Sequence, residues 1–563
     1  MTQSAPSPTE LRPAPVRLQA VTAGPGLRLT ERLRRRAFAA GVALCTAGVG
    51  AFTIVQLAAW PPHEDETLAL FVGRSSFGDL LHTVLNRRGG APLHFVLAWI
   101  VVRLDGGLLS LRFLSALFAT ASVPVIALLG RRLAGWATGL VATAVASASW
   151  ILLFHGVYGR MYSLFLFSSA LSYLALLVAL DRGGLRAYTL WVVATLATIA
   201  SHPYGALVLG SQGVYVLLAR RRELREPALA AATVLVLGIP FWRTDLVLAG
   251  RFDVGVGAGG SKLSGPLSVL SYLRASAGDF SVGWTPVLVI VLLGALGGLA
   301  LLWPRRRTSA LLVGAVIGTP TAALMLARFG SSSTSPESRH LIFVLPFFSV
   351  LVAMPLVELA RGRARFGPVL AACATLALLG AEVGWAEHKT PLLFRGEPAA
   401  HVRARADASA WLAATSRPDD VLFGYDPLYL DAWERNHARV SQMVVPRADP
   451  KLALDALARA PHPLGRGVWV FDAYDTNNFT PKLTIPYAVP EPHRLFEARV
   501  FGSYLVIRTR ARTVTALRYL EDAESAQLVG QRFLIGDADV NLDTARKAIR
   551  RLVYARSRST VSR

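Results

Sequence analysis

The chain has 563 residues, of which 53% are hydrophobic and only 17% are charged. An ordinary soluble domain carries about 25% charged residues, so this composition argues against a cytosolic enzyme and favours a membrane protein. The formal net charge is +23, which in a soluble protein would first suggest binding to nucleic acid. No aromatic residues interleave with the basic clusters to make a stacking surface for bases, so no nucleic-acid partner is expected.

The polar, Pro-rich start of the chain, residues 1–36, is predicted to be a disordered tail in the cytoplasm. The apolar run 37–59 that follows is too long for a signal-peptide core, so it is interpreted as a retained first membrane helix. Cys45 and Cys373 are the two cysteines of the chain, and both lie inside apolar runs. The region after residue 387 therefore cannot contain an internal disulfide.

Eleven apolar runs approach the length of about 20 residues that a membrane-crossing helix needs. They cover residues 37–59, 108–130, 133–154, 161–180, 186–200, 204–219, 228–249, 285–303, 308–328, 340–360 and 366–386. Short arginine clusters separate many of these runs, as the positive-inside rule predicts for cytoplasmic loops. The pattern predicts an α-helical polytopic membrane domain over residues 37–387.

A shorter apolar run, 92–104, decides the predicted topology. If it crossed the membrane fully, Arg220 to Arg222 and Arg305 to Arg307 would both face outward, against the positive-inside rule. It is therefore expected to be an outer-face or re-entrant helix. The N-terminus is then cytoplasmic, the C-terminal region is extracytoplasmic, and the protein is a multi-pass protein of the plasma membrane, in contact with the lipid bilayer.

Two further segments are expected on the outer face. The loop 60–91 is long, and its residues 66–81 are predicted to form an amphipathic helix on the membrane surface. Residues 388–563 have the composition of a small α/β domain. In this region helical patterns are predicted at 398–415, 451–459, 512–530 and 541–556, and strands at 421–425, 468–471 and 499–508.

The acidic segment that follows the first helix is the strongest candidate for chemistry. Glu64, Asp65 and Glu66 follow the sequence Trp-Pro-Pro-His at the predicted outer interface. A carboxylate there can take a proton from a hydroxyl nucleophile held within hydrogen-bond reach, and a carboxylate pair could hold a divalent cation. The alternative interpretation is a charged cap that ends one helix and starts the next.

Basic and aromatic residues beside other apolar segments form a second group of candidates. Arg88, with Arg87, could bind a phosphate or anchor lipid head groups, and His94 could bind substrate or make a polar contact inside the bundle. An ionisable residue close to or within a membrane segment is costly and is therefore a site candidate. Such candidates are Arg112, Arg160 with Tyr158 and Tyr162, His202 with Tyr204, and Arg339 with His340. The alternative is a set of separate ion pairs or snorkelling side chains.

No cysteine and histidine spacing typical of a zinc site and no Ser-centred nucleophile motif is present, so no metal ligands are predicted. Glu337 could pair with Arg339, two residues away. Tyr425 and Tyr429 of the C-terminal region are interpreted as packing residues.

Seven short motifs follow one another along the chain. They are Asp65-Glu66, Ala91-Pro-Leu-His94, Ser110-Leu-Arg-Phe-Leu-Ser115, Gly130-Arg-Arg-Leu133, Gly159-Arg-Met-Tyr162, Ser201-His-Pro-Tyr204 and Arg339-His-Leu-Ile-Phe-Val-Leu-Pro346. In this order they resemble the motifs of the GT-C glycosyltransferases that use lipid-phosphate sugar donors. That group includes the family 39 protein O-mannosyltransferases and the bacterial aminoarabinose transferases that act on lipid A. Two features depart from the group. Gly-Ala-Pro-Leu stands where His-Pro-Pro-Leu is usual, and Glu64 precedes the acidic pair.

The resemblance implies transfer of a sugar from a polyprenyl-phosphate donor to an extracytoplasmic hydroxyl with inversion. Asp65, or Glu66, would be the base. Mannose is the first choice of sugar, with arabinose and glucose as alternatives, and the acceptor would be a protein, a glycolipid or a glycan. No cofactor is implied with certainty, and a divalent cation stays open. The residues implied to bind the donor phosphate are Arg339, Arg160, Arg88 and His340. Those implied to bind substrate are His94, Tyr162, His202, Tyr204 and Glu64.

The competing interpretation is a transporter or flippase of a lipid-linked sugar. Transporters of this kind show inverted repeats with broken helices in matching positions. The sequence shows no such repeat, and its candidate ionisable residues gather toward one face, so the transferase is favoured. A non-catalytic assembly or sensor protein is the third possibility.

Overall fold

A computed structural model provides the structure of the chain. It describes residues 25–252, 265–327, 336–362, 365–391, 394, 396–435, 442–446, 456–460, 463–472 and 496–512, with isolated positions between 518 and 526. The predicted helix 541–556 lies outside the described residues, as does most of the predicted helix 512–530. Helix α1 begins at Pro25, so residues 25–36 of the predicted disordered tail are helical.

The membrane part is built from helices in chain order. They are α1 (Pro25–Gln56), α2 (Glu64–Gly73), α3 (Phe77–Thr83), α4 (Pro92–Arg103), α5 (Leu108–Ala134), α6 (Trp136–Ala148), α7 (Trp150–Val157), α8 (Tyr162–Arg182), α9 (Leu185–Ser201), α10 (Gly205–Ala219), α11 (Arg225–Leu237), α12 (Ile239–Phe252), α13 (Pro266–Phe280), α14 (Thr285–Arg305), α15 (Arg307–Ala327), α16 (Leu345–Arg361) and α17 (Gly367–Lys389). A π-helical turn covers Val84–Arg88, and a 3-10 helix, Ser338–Val344, leads into α16.

Each of the eleven segments predicted to cross the membrane is helical. Among the described residues, seven helices have the length and composition of a membrane span, and nine spans result if the bent pairs α6–α7 and α11–α12 each count as one. The two remaining predicted crossings, α9 and α10, are shorter apolar helices of 17 and 15 residues. The chain is therefore a multi-pass membrane protein, and the sequence did not reveal the 56° and 59° bends.

Close helix packing places α16, and with it the 3-10 helix, at the centre of the bundle. Every residue of α16 from Leu345 to Met354 is buried. A Cβ atom on Gly298 of α14 would lie 2.0 Å from the carbonyl oxygen of Leu351, so only glycine permits this contact. Small residues allow such close approach in membranes, where packing drives helix association.

The segment between α1 and α5 forms a separate layer of short helices. The structure confirms a helix at 92–103, and the predicted helix 66–81 is split between α2 and α3. Gly89 and Gly90 adopt φ values of 73° and 69° between the π-helical turn and α4. A Cβ on Gly89 would lie 2.3 Å from the carbonyl oxygen of Thr244, so this turn packs directly against α12.

The C-terminal region contains a five-stranded sheet with the strand order β2-β1-β3-β5-β4. The helices of this region include α18 (Ala399–Thr415) and α19 (Pro427–Arg435), and residues 456–459 of the predicted helix 451–459 are also helical. The strands are β1 (Val421–Phe423), β2 (Met443–Val445), β3 (Gly467–Asp472), β4 (Phe496–Phe501) and β5 (Tyr504–Thr509). Strand β1 pairs in parallel with β2 and β3, whereas β5 pairs antiparallel with β3 and β4. The structure confirms the small α/β domain.

One strand prediction in this region was wrong. Residues 499–508 are not a single strand, because Gly502 and Ser503 form a two-residue turn between β4 and β5. Gly502 has a φ of 55°, which glycine adopts readily and which suits a tight hairpin. The predicted helix 398–415 and the strands within 421–425 and 468–471 are confirmed.

One hydrophobic cluster joins the short helices after α1 to the α/β region. It contains Leu70 of α2 and Phe95 of α4 together with Leu428 and Val468. The α/β region therefore packs on the segment that carries the acidic motif. The domain boundary after residue 387 stays a prediction.

Candidate active site

The acidic segment is held at the start of α2 by a reciprocal cap. Pro61 and Pro62 follow α1, and His63 is the N-cap residue of α2. The His63 Nδ1 accepts a hydrogen bond of 3.1 Å from the Asp65 backbone N–H, and the His63 N–H donates one of 3.2 Å to the Glu66 carboxylate. Such a capping box fixes the first turn of a helix, and here it orients the two adjacent carboxylates differently.

Glu66 is fully buried and is paired with Arg112 of α5. The Arg112 Nε and Nη2 donate to its two oxygens at 2.7 and 2.6 Å, and the Gly159 N–H donates at 2.8 Å. The same guanidinium also donates to the carbonyl oxygens of Leu57, Trp60 and Pro61. Glu66, one of the two candidate bases, thus ties α5 to the chain after α1 and has no exposed surface.

Asp65 points the other way, and its side chain keeps 37% of its surface exposed. Its Oδ2 accepts a hydrogen bond of 2.7 Å from Arg160 Nη1 and one of 3.4 Å from the Tyr158 hydroxyl. The Tyr158 hydroxyl lies 2.8 Å from the His63 Nδ1. Of the predicted acidic pair, Asp65 is the carboxylate that a bound molecule can reach.

The charges around Asp65 control its ionisation. Burial by itself would raise the pKa of Asp65, but the positive charges of Arg160, His63, Arg339 and Arg88 outweigh burial and hold the pKa well below its usual range. Burial by itself would lower the pKa of Arg160, but nearby negative charge, above all that of Asp65, outweighs burial and raises the pKa of that guanidinium above its ordinary value. The pair is therefore ionised at neutral pH.

Arg339 and Arg160 flank the same aromatic ring, although the sequence places them 179 positions apart. Their guanidinium carbons lie 5.2 and 5.3 Å from the centre of the Tyr162 ring. Arg339 Nη2 also donates a hydrogen bond of 2.6 Å to Glu337, as the sequence suggested. Its Nε is buried and has no hydrogen-bond partner among the described residues. Asp65, Arg160, Tyr162 and Arg339 thus belong to one site.

Histidine and tyrosine side chains form the next wall of the site. The His202 ring lies 5.2 Å from the His340 ring, and both rings lie within 5.4 Å of Tyr204. The His202 Nδ1 accepts a hydrogen bond of 3.1 Å from the Tyr204 N–H, and the His340 Nδ1 accepts one of 3.2 Å from the Glu337 N–H. Burial, helped by nearby Arg160 and Arg339, lowers the pKa of His202 to about 3, so this imidazole is neutral.

Sequence reasoning missed His155, which belongs to the same wall. It lies at the end of α7, its ring centre is 4.8 Å from that of Tyr162, and its side chain is buried. The Nδ1 atom of His155 has no hydrogen-bond partner within the described part of the chain. Its place in the same short segment between two predicted helices as Gly159 and Arg160, five residues before that arginine, was a signal that could have identified it.

Arg88 and His94 approach the site from the layer of short helices. The Arg88 guanidinium carbon lies 5.0 Å from the centre of the Phe95 ring, and its charge acts on both Asp65 and Arg160. His94, in the first turn of α4, is 7% exposed. The π-helical turn and the left-handed Gly89-Gly90-Ala91 backbone direct this pair toward the acidic segment.

The α/β region reaches the acidic segment through Tyr425. The Tyr425 N–H donates a hydrogen bond of 3.2 Å to Glu64, its carbonyl oxygen accepts one from the Thr67 hydroxyl, and its ring packs edge-on against Phe71. Tyr425 follows β1 directly after Gly424, whose φ is 83°. Its interpretation as a packing residue was therefore incomplete. Its position at the carboxyl end of a parallel strand, where ligands commonly bind, was the available signal.

A divalent cation between Asp65 and Glu66 has no preformed pair of ligands. The Asp65 carboxylate turns to Arg160, and the Glu66 carboxylate turns to Arg112. Among the described residues, no group of three or more His, Cys, Asp or Glu side chains is arranged to hold a metal ion. Guanidinium groups occupy the positions beside these carboxylates where a cation would supply positive charge.

No protein-family model and no curated protein sequence matches this chain. Among solved structures it resembles apo ArnT from Cupriavidus metallidurans, with a TM-score of 0.53, 17% identity, and coverage of 84% of this chain and 98% of ArnT. ArnT bound to undecaprenyl phosphate gives a TM-score of 0.52, 17% identity, and coverage of 83% and 97%. The third structure is the oligosaccharyltransferase AglB from Archaeoglobus fulgidus, in complex with an inhibitory peptide and a dolichol-phosphate. Its TM-score is 0.50 and its sequence identity is 10%, and the match covers 78% of this chain and 70% of AglB. The chain therefore has the GT-C membrane fold that its sequence motifs predicted.

Proposed function

We propose that this protein is a membrane glycosyltransferase that moves a sugar from a polyprenyl-phosphate donor to an acceptor hydroxyl. One observation supports the proposal above the others. The reachable carboxylate of Asp65 shares a site with the guanidinium groups of Arg160 and Arg339. A base and a phosphate-binding group side by side are what transfer from a lipid phosphate requires. The GT-C fold, in which ArnT binds undecaprenyl phosphate, supports the same class.

In this proposal Asp65 is the general base. The acceptor hydroxyl donates its hydrogen to the Asp65 carboxylate, and its oxygen attacks the anomeric carbon of the donor sugar. The bond from that carbon to the phosphate oxygen breaks on the opposite face, so the configuration inverts. The proton ends on Asp65, and the electron pair of the broken bond ends on the lipid phosphate. Glu66 positions this base through the cap and through Arg112.

Arg339 and Arg160 stabilise the leaving lipid phosphate, which develops about two negative charges. Arg339 suits this role because its Nε has no hydrogen-bond partner among the described residues and can donate to a phosphate oxygen. Arg88 and His340 complete the phosphate site, while His94, Tyr162, His202 and Tyr204 surround the sugar. Removal of one such cation slows turnover by about 10²- to 10³-fold.

The ion pair between Asp65 and Arg160 links donor binding to the strength of the base. Before the donor binds, Arg160 lowers the pKa of Asp65 and makes it a weak base. A donor phosphate competes for the same guanidinium, because phosphate is a strong bidentate acceptor. As Arg160 turns to the phosphate, burial again dominates and the pKa of Asp65 rises. The carboxylate therefore becomes a better base once the donor is in place.

The finer parts of the proposal concern the substrates and the orientation. Mannose is the donor sugar to test first, before arabinose and glucose, and the acceptor is a protein, a glycolipid or a glycan. The N-terminus lies in the cytoplasm and the α/β region lies outside, so the acceptor meets the donor at the outer surface of the plasma membrane. Glu64 holds Tyr425 of the α/β region beside the site.

The test is a transfer reaction with purified protein in phospholipid vesicles. The vesicles contain a polyprenyl-phosphate sugar labelled in the sugar, and one candidate acceptor is added at a time. The proposal predicts that labelled acceptor and free lipid phosphate appear in equal amounts. Movement of the intact labelled lipid across the bilayer, with no free lipid phosphate from any donor, would instead identify a flippase.

A further inference from the structure

A groove of about 940 Å³ runs between α1 and the helices α5 and α6, away from the candidate active site. Its walls are mainly apolar, with Phe38 and Val42 on α1 and Pro124 and Leu128 on α5. Helix α1 is only partly covered by the rest of the bundle, as the 75% exposure of Leu44 shows. In a membrane, a groove of this kind is filled by hydrocarbon.

The groove is longer along α1 than along α5. Its α1 wall runs from Arg35 to Ile54, which at 1.5 Å per residue is about 28 Å and nearly spans a hydrocarbon core of about 30 Å. Its α5 wall runs from Thr120 to Arg131, about 16 Å, so the part of the groove toward Arg131 is lined by both helices. Asp65 follows the opposite end of α1, so the mouth at Arg131 belongs to the leaflet opposite the candidate active site.

Two arginines mark that mouth. Arg35 and Arg131 both line the groove, and both side chains are exposed. Arg35 also forms an exposed ion pair with Glu31, one turn earlier on α1, and a head-group phosphate would compete with that carboxylate for the guanidinium. The Arg131 guanidinium carbon lies 4.1 Å from the centre of the Trp136 ring, and the Trp136 ring meets Phe38 edge-on at 5.0 Å. Arg35 is three residues before Phe38, on the same face of α1. The two cations therefore flank one aromatic pair at the level of the lipid head groups.

We propose that this groove is a binding site for an anionic glycerophospholipid of the leaflet opposite the active site. One acyl chain fills the space between Val42 and Pro124, and the head-group phosphate lies between Arg35 and Arg131. Trp136 marks the interface between chain and head group, where tryptophan is favoured. A zwitterionic lipid carries no net charge, so the two arginines select an anionic head group.

The site has a structural consequence for the rest of the molecule. Helix α1 leads directly into the segment that carries Asp65, and the bound lipid fills the gap between α1 and α5. Lipid binding in this groove depends on the shape and the charges of the groove, and it does not depend on the proposed transferase activity.

The test compares lipid retention by four forms of the full-length protein. Each is reconstituted in vesicles of equal amounts of phosphatidylglycerol and phosphatidylcholine, extracted in detergent, washed and analysed by native mass spectrometry. The wild type is expected to retain phosphatidylglycerol in preference. In the double variant Arg35→Gln, Arg131→Gln, the ratio of retained phosphatidylglycerol to retained phosphatidylcholine is expected to fall by about 30-fold. This corresponds to a factor of roughly five for each basic residue removed.

Two further variants make the result specific. Ala47→Phe places a ring in the groove and is expected to reduce retention of both lipids, because the acyl chain has no space. Arg182→Gln with Arg222→Gln, two exposed arginines outside the groove, is the matched control and should behave as the wild type. Unchanged retention in either groove variant, in protein that elutes as the wild type does, would overturn the proposal.

Discussion

Replacement of Glu66 by Gln is expected to destabilise the protein far more than replacement of its neighbour, Asp65, by Asn. The two changes are chemically the same, since each replaces a carboxylate by an amide of nearly equal shape. They differ in what remains behind. Glu66→Gln leaves the Arg112 guanidinium buried without its counter-charge, whereas Asp65→Asn leaves Arg160 at the edge of an accessible site.

The magnitude follows from burial. The side chains of Arg112 and Glu66 are 1% and 0% exposed, and two hydrogen bonds of 2.7 and 2.6 Å join them. Loss of one partner of such a buried pair costs about 3–5 kcal/mol, because the remaining charge has no compensation. Asp65 is 37% exposed, so solvent screens its pairing with Arg160, and its loss costs about 0–1 kcal/mol.

The assay is thermal unfolding of both variants and the wild type in one detergent, followed by intrinsic fluorescence. The unfolding midpoint of Glu66→Gln is expected to lie well below that of the wild type, whereas the midpoint of Asp65→Asn is expected to lie close to the wild-type value. Sugar transfer is measured on the same samples below the transition. A Glu66→Gln protein that keeps the wild-type midpoint and yet loses transfer would refute the reasoning, since it would make Glu66 a catalytic group.

Three other substitutions test the electrostatics of the site. In Arg160→Gln, burial acts on Asp65 with less opposition and raises its pKa. Activity that needs ionised Asp65 is lost as pH falls through that pKa. The acid limb of the pH profile of kcat/KM for the donor, which reports the free enzyme, therefore moves to higher pH, and an unmoved limb contradicts the account. Arg339→Gln should lower kcat by about 10²- to 10³-fold with little change in the KM for acceptor, and a loss below tenfold would argue against phosphate stabilisation. Glu64→Gln should keep most activity, because the glutamine oxygen still accepts from the Tyr425 N–H; inactivity in transfer assays would identify Glu64 as the base.

Hydropathy and charge were sufficient to predict the helical segments and to select most of the side chains that the structure brings together around Asp65. Each apolar run became a helix because length and composition act locally, and α5 and α8 closely follow the predicted ranges. The candidate cations could also be predicted from the sequence. An arginine beside an apolar run has a high free-energy cost in the membrane and is therefore a site candidate. Arg160 and Arg339 share one aromatic ring, as their predicted placement on one face required.

The roles of adjacent carboxylates could not be predicted, because they depend on partners distant in sequence. Glu66 and Arg112 are 46 positions apart, and only the packing of α5 beside α2 makes them a pair. Asp65 and Glu66 differ by one position, yet the helical turn directs one to Arg160 and the other to Arg112. The contact of Tyr425 with Glu64 spans 361 positions and likewise depends on tertiary structure.

The most direct test of the account is the rate of sugar transfer by Asp65→Asn beside a matched control. Asp105→Asn is that control, because Asp105 is exposed and its φ of 56° suits asparagine equally well. Single-turnover transfer is measured with saturating polyprenyl-phosphate sugar, so that donor binding does not limit the rate. The account predicts a loss of about 10²- to 10⁴-fold for Asp65→Asn and the wild-type rate for Asp105→Asn. Transfer by Asp65→Asn at the rate of the control would contradict it.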